Sequence, residues 1–146
     1  MNNAIKAVDL FKNGYACSQA ILSTYGRDFG LNQDLAVKIS AGFAGGMRMG
    51  ELCGAVTASF MVLGLAFCTN ECTKPIGRSN IYTSVKIFTD KFRVRNGSVV
   101  CRELLGCDIS TSEGMKIAQE KNLFKTTCVE MVQDASEILD EMLQKS

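Results

Sequence analysis

Apolar residues recur along this chain at spacings of three and four, the mark of helices with one buried face. Ala4, Ala7, Val8, Leu10 and Phe11 share such a face, and Asn13-Gly14 supplies a stop, because glycine suits the left-handed position after a helix. Cys17, Ala20, Ile21 and Tyr25 continue in a second helical piece that ends near Gly26; the pattern leaves open whether the two pieces form one kinked helix. Leu31, Leu35, Val37, Ile39 and Phe43 predict a third, with Asn32 as its cap. Gly42 and Gly45-Gly46 then interrupt it.

A core helix is expected to start near Gly50 or Glu51. Its small residues Gly54 and Ala58, one turn apart, suit close approach by another backbone. Ile81, Val85, Phe88 and Phe92 repeat at four, three and four residues, and Asn96-Gly97 ends that helix. Ser98 is read as the cap of a short helix through Leu105, closed by Gly106. The runs STSE at 110–113 and TCVE at 127–130 read as capping boxes. The second opens a last helix carrying Val129, Val132, Ala135, Leu139 and Leu143. No strand and no internal repeat is evident. The expected fold is all-α, an antiparallel bundle of about six or seven helices in a single domain over residues 1–146.

Composition sharpens this picture in three ways. Residues 52–68 carry no charge, which is at the short limit for a membrane span. Gly54, Thr57, Ser59 and Gly64 lie within the stretch and no aromatic belt flanks it, so it reads as a buried core helix. Next, the formal charge of +1 is unevenly spread. Residues 74–102 hold seven basic residues and one acid, Asp90, whereas nine acids and four lysines follow from Glu103 onward. Complementary solvated faces are the expected meaning; a docking patch for an acidic partner or nucleic acid is the sharper one. No nucleic-acid motif accompanies it.

The third is the count of seven cysteines against no histidine. Without imidazole there is no Ser-His-Asp or Cys-His pair, which leaves thiolate chemistry or an all-cysteine metal site. The N-terminal residues show no apolar signal region, so a reducing, cytoplasmic setting is expected. Four of the cysteines fall at expected helix starts: Cys17, Cys53, Cys101 and Cys128. A helix start offers free amides and partial positive charge, both of which favour a thiolate. Filling of apolar space is the ordinary alternative for any one cysteine, and more so for Cys68, Cys72 and Cys107. Cys68 and Cys72, four apart, suit facing one another at a helix end.

Gly45, Gly46, Arg48 and Gly50 form the other candidate feature. A glycine loop before a helix suits either anion binding on backbone amides or a tight turn that brings the chain close to Cys53. It is neither a P-loop nor a dinucleotide fingerprint. Arg48 is a candidate to stabilise a thiolate or bind a substrate's charge. The methionines, Met47, Met49 and Met61 among them, read as core filling rather than copper ligands.

These residues carry a resemblance. LFKNGYACSQA at 10–20, GGMRMGELCGA at 45–55, CRELLG at 101–106 and Cys128 before the last helix resemble the C_GCAxxG_C_C family of redox-active proteins. The likeness spans nearly the whole chain, and its most specific part is the glycine loop running into Cys-Gly-Ala. The family's four recurrent cysteines map onto Cys17, Cys53, Cys101 and Cys128. The family pattern also expects a glycine three residues after that alanine, where this chain has Ala58; a looser packing contact is the expected effect. The resemblance implies a redox role and names no substrate.

Three readings follow. In the first, a helix-start thiolate, foremost Cys53, attacks a disulfide or peroxide-like centre and a second cysteine resolves it, as in a thiol-dependent oxidoreductase with an unidentified redox partner. In the second, Cys17, Cys53, Cys101 and Cys128 bind zinc or an iron–sulfur cluster for electron transfer. In the third, the chain is a non-catalytic helical interaction module. A homo-oligomer fits any of them.

Overall fold

A computed structural model describes residues 2–144. Its regular structure is helical throughout, as the periodicity predicts. Eight α-helices follow in order: α1 (Asn3–Lys12), α2 (Cys17–Gly26), α3 (Gln33–Ser40), α4 (Gly54–Phe67), α5 (Pro75–Asn96), α6 (Cys101–Leu105), α7 (Ser112–Glu120) and α8 (Thr127–Leu143). The first two are separate, parted at Gly14 with φ +106°, which resolves the question of a kinked helix and makes the pieces eight.

The uncharged α4 lies at the centre, as expected of a core helix. Ala55, Val56, Ala58, Val62 and Leu63 are completely buried, and α2, α5 and α8 pack around it. Ala58 therefore fills core space with its methyl group. From α5, Phe88 stacks on Phe92 and meets the edge of Phe60 from α4 at 5.9 Å. Among the described residues no helix is long and apolar enough to cross a membrane.

The split charge along the sequence closes up in space. Lys91 of α5 pairs with Glu141 of α8 at 2.6 Å, and Arg95 reaches Asp134 and Glu137 at 3.2 and 2.7 Å. These are complementary faces within one chain.

The helix starts differ from expectation in detail. Asn32 caps α3 as predicted, accepting from the Leu35 amide. Helix α4 begins at Gly54, with Cys53 as its cap residue, because Gly46, Met47, Arg48 and Gly50 have left-handed dihedrals that no α-helix can absorb. Thr111, not Ser110, caps α7, since Ser110 is drawn back to the Asp108 carboxylate. The TCVE box does not form: Thr126 is the cap residue of α8, and its hydroxyl donates to Asn122 instead. Ser98 sits two residues before the cap of α6 and accepts from the Val100 amide while bonding to Glu103.

One long-range polar contact ties the two ends of the chain. The buried Tyr25 hydroxyl lies 2.7 Å from the Asp140 carboxylate and 3.0 Å from the Ser136 carbonyl. Burial and the neighbouring carboxylate push this phenol well above its ordinary pKa, so it stays a donor. Replacing Tyr25 with Phe leaves both acceptors short of a partner. Urea unfolding should show a loss of about 1–3 kcal/mol with an unchanged helical spectrum.

Candidate functional site

The site is built at three chain crossings. Helix α2 opens directly at Cys17, with the Gln19 side chain reaching back to accept from the Ala16 amide at 3.0 Å. Two further contacts fix α2 against α3: the Ser18 hydroxyl donates to the Ser40 carbonyl, and the Gln19 amide donates to Val37. Cys17 is thereby held at the first position of a helix whose next turn is buried.

The second crossing is an isolated antiparallel bridge between Leu52 and Val100. The Cys53 amide donates to the Val99 carbonyl at 2.8 Å, and the Cys101 amide to Glu51. This short pairing brings Cys53 and Cys101 to the same cavity although they stand 48 positions apart in sequence. Arg102 buttresses it, donating to the Gly50 carbonyl and the Glu51 carboxylate.

The third is the glycine loop, and it is a tight turn. Gly45, Gly46, Met47 and Arg48 all have φ between 59° and 67°, a left-handed turn closed by the Glu51 amide on the Gly46 carbonyl at 3.1 Å. L-residues disfavour this region by about 1–2 kcal/mol each, so Met47 and Arg48 are strained. Gly46 is obligatory here: a Cβ would stand 2.4 Å from the Glu51 nitrogen. The turn aims Arg48 at the site. It leaves Gly46 and Gly50 buried behind, structural members of the turn, while Gly45 and Arg48 face the cavity.

All four sequence-predicted cysteines line one cavity of about 150 Å³. Arg48 and apolar side chains such as Phe11, Phe124 and Met131 complete its wall. The four sulfurs are not equivalent. Cys17 and Cys53 form a hydrogen-bonded pair, and the Cys53 thiol is the main cause of a Cys17 pKa lowered from 9.0 to about 7. Burial opposes this, and the amides of Gly45, Ser18 and Ala55 add to it. Cys53 is favoured by the Ala55 amide but is pushed well above the ordinary value, first by its bond to Cys17 and then by burial. More backbone groups favour the charged form of Cys17 than of Cys53, so Cys17 is the more acidic of the two thiols. Gly45, in the glycine loop, is one of the backbone groups that lower the Cys17 pKa.

Helix starts do not acidify the other two. Desolvation raises Cys101 to about 11 and Cys128 to about 12, with the charge of Cys17 the next cause in each. Both sit in a second apolar cluster with Leu105, Ile109 and Ala118. Helix α6 has only one turn, too short for a strong terminal charge, and burial outweighs the longer α8. The expectation of four acidic thiols is therefore corrected to one.

Nor do the sulfurs form a ligand set. Among the described residues no three His, Cys, Asp or Glu side chains stand close enough together to share a metal ion. The zinc and iron–sulfur alternative thus finds no ligand set in this arrangement. Cys107 is free and half-buried beside the second cluster, whereas Cys68 and Cys72 are joined as a disulfide at the far end of α4.

Sequence reasoning missed part of the wall. Phe124 carried no signal, and Phe11 was visible only as one more apolar position on α1. Gly54 was read as a site of backbone approach, and it is: a Cβ there would lie 3.2 Å from Ala44 Cα. The tighter neighbour, 2.6 Å away, is the Cys17 sulfur.

The fold and site define a class of all-helical domain that gathers four unpaired cysteines around one cavity. The family model described as "Putative redox-active protein (C_GCAxxG_C_C)" matches residues 15–142, and the chain belongs to that family. No curated protein and no solved structure matches it.

Alkylation by iodoacetamide, followed by mass mapping, tests the assignment of charge. Cys17 should react half-maximally near pH 7, and Cys101 and Cys128 only toward pH 11–12. Because the folded pKa of Cys17 is depressed, its contribution to stability is present above the ordinary value of 9.0 and fades as pH falls through about 7. Gly54→Ala should press the Cys17 sulfur off its amides, moving its alkylation midpoint upward and costing about 1–3 kcal/mol of stability.

Proposed function

We propose that this protein is a thiol-dependent oxidoreductase in which Cys17 attacks and Cys53 resolves. The observation that carries this reading is that Cys17 and Cys53 line the wall of one cavity, with Cys17 the more acidic thiol. The assignment departs from the sequence-based choice of Cys53 as the attacking residue.

The cycle uses only these two sulfurs and an external disulfide. The Cys17 thiolate attacks one sulfur of the substrate disulfide; a Cys17–substrate disulfide forms and the other substrate sulfur leaves as a thiolate that takes a proton from water. Cys17 is then neutral. Two of the influences holding the Cys53 proton, its bond to Cys17 and the charge there, vanish with it, and burial remains to oppose ionisation. The N-terminal end of α4 and the Ala55 amide now favour a Cys53 thiolate, its proton passing to water. Cys53 attacks the Cys17 sulfur, a Cys17–Cys53 disulfide forms, and the second substrate thiolate departs and is protonated. The substrate gains two electrons, and a dithiol partner returns the protein to its starting state. The raised pKa of Cys53 is thus a timing device, lifted only after the first attack.

Cys101 and Cys128 remain neutral throughout and keep the cavity wall apolar. Arg48 is exposed at the cavity and has no acidic partner among the described residues, so it suits a negative group on the substrate. The volume of the cavity restricts entry to a narrow reacting group. Five free thiols, Cys17, Cys53, Cys101, Cys107 and Cys128, fit a reducing compartment such as the cytoplasm.

Trapping tests the cycle. With bis(2-hydroxyethyl) disulfide at pH 9, Cys53→Ala should accumulate one adduct per chain on Cys17, while the wild-type protein passes to an internal disulfide. Cys17→Ser should give no adduct in the cavity. Adducts forming first on Cys53 would reverse the roles. Arg48→Gln should raise KM for a dicarboxylate disulfide by about tenfold, the loss of one charge-assisted bond, and leave the neutral probe unaffected.

A further inference from the structure

Cys68 and Cys72 lie outside the cavity, outside the four recurrent cysteines and outside the cycle above. Cys68 is the residue that ends α4, its amide donating to the Gly64 carbonyl at 2.9 Å. Cys72 sits in the single turn Asn70–Thr73, its amide on the Thr69 carbonyl at 3.0 Å. Their Cα atoms are 5.5 Å apart, within the usual span of a disulfide, and the two are bonded. Cys68 is exposed and Cys72 half-buried, so the bond is open to attack from solution.

Three further features distinguish this pair from a buried staple. The loop it closes spans only five residues, so the cross-link removes little chain entropy from an unfolded state that already keeps these residues near each other. The backbone of the turn is fixed without it: Glu71 is packed so closely on α5 that a Cβ on Gly77 would clash with its carbonyl. Arg78 of α5 donates to the Cys72 carbonyl at 3.2 Å, which brings a cation to the backbone of this turn, and Lys74 pairs with Glu71 at 3.2 Å. A neighbouring guanidinium favours the thiolate form and with it exchange.

Helix α4 separates this pair from the cavity. Its 14 residues rise about 1.5 Å each, or about 20 Å in all, far beyond any sulfur-to-sulfur contact. The same helix therefore carries Cys53 at one end and Cys68 at the other, with no direct exchange between them.

We propose that Cys68 and Cys72 form a second, surface redox site that cycles between disulfide and dithiol with external thiols, independently of the cavity. On reduction, a thiolate attacks one of the two sulfurs; a mixed disulfide forms and the other cysteine leaves as a thiolate. A second external thiolate then attacks the external sulfur of that mixed disulfide, so both cysteines end as thiols once protonated by water. Two external thiols become one disulfide, and two electrons pass to the protein. Oxidation by an external disulfide is the reverse.

The test uses the whole folded chain, equilibrated in glutathione buffers of stepped oxidation state and, in parallel, in dithiothreitol buffers. After acid quenching and alkylation, chymotryptic cleavage at Phe67 separates the pair from Cys53. The peptide should pass from no label to two labels in one two-electron step, at the same midpoint in wild type and in Cys17→Ser. Movement in both buffer series shows that a monothiol suffices, and movement in dithiothreitol alone assigns the site to dithiol donors; either supports the proposal. A pair that stays bonded in every buffer is a structural staple, and one that stays reduced in every buffer forms no native disulfide; either overturns it. A midpoint that follows the Cys17 substitution would make the pair an extension of the cavity and overturn its independence. Adduct formation at Cys17, the readout for the cavity, is unaffected by any of these results.

Discussion

The candidate site is governed by how little charge its buried cavity can hold and by the few groups that favour it. A cavity walled by Phe11, Phe124 and Met131 has little capacity to stabilise ions, so two thiolates side by side are strongly disfavoured. The amides of Ser18, Gly45 and Ala55 converge on the Cys17 sulfur, and the Cys53 thiol supplies a fourth donor. That charge raises each of the other three thiols that line the cavity. The four cysteines thus form a ranked set, in which ionisation at the first keeps the rest protonated.

Building that anion site requires backbone from three distant parts of the chain to meet within bonding distance. Gly54 is the meeting point, since any side chain there would displace the Cys17 sulfur or the loop carrying Phe43 and Ala44. The left-handed turn at residues 45–48 delivers the Gly45 amide and turns the chain sharply enough to enter the Leu52–Val100 bridge. Strain at Met47 and Arg48 is tolerated because the turn is locked from both sides, by Glu51 onto Gly46 and by Arg102 onto Gly50.

Much of this was legible beforehand, for reasons that differ by level. Helices announce themselves through local periodicity, so α1 to α5 and α8 followed from the spacing of residues such as Ile81, Val85, Phe88 and Phe92. The four cysteines of the cavity were legible through their place at helix starts and through the family resemblance. Their ranking was not, because it depends on amides at Gly45 and Ala55 that are far from Cys17 in sequence, and on how deeply each sulfur is buried. Helix-start reasoning treats all four alike; desolvation at Cys101 and Cys128 breaks the equivalence. The bridge at Leu52 and Val100 escaped notice because a single pair of residues leaves no alternating pattern. The capping boxes misled where a neighbouring residue, Thr111 or Thr126, took the cap position first.

The ion pairs between α5 and α8 have a consequence for how the molecule meets others. Lys74, Lys91, Arg95 and Arg102 all lie against carboxylates of the same chain, so much of the positive run near the middle of the sequence is neutralised close to the surface. The far field is correspondingly weak. Encounters with a charged molecule are governed by diffusion and shape at short range, with little electrostatic steering for salt to suppress. Under the proposed reading, selection rests on fit and short-range contacts at the mouth of the cavity, not on attraction from a distance.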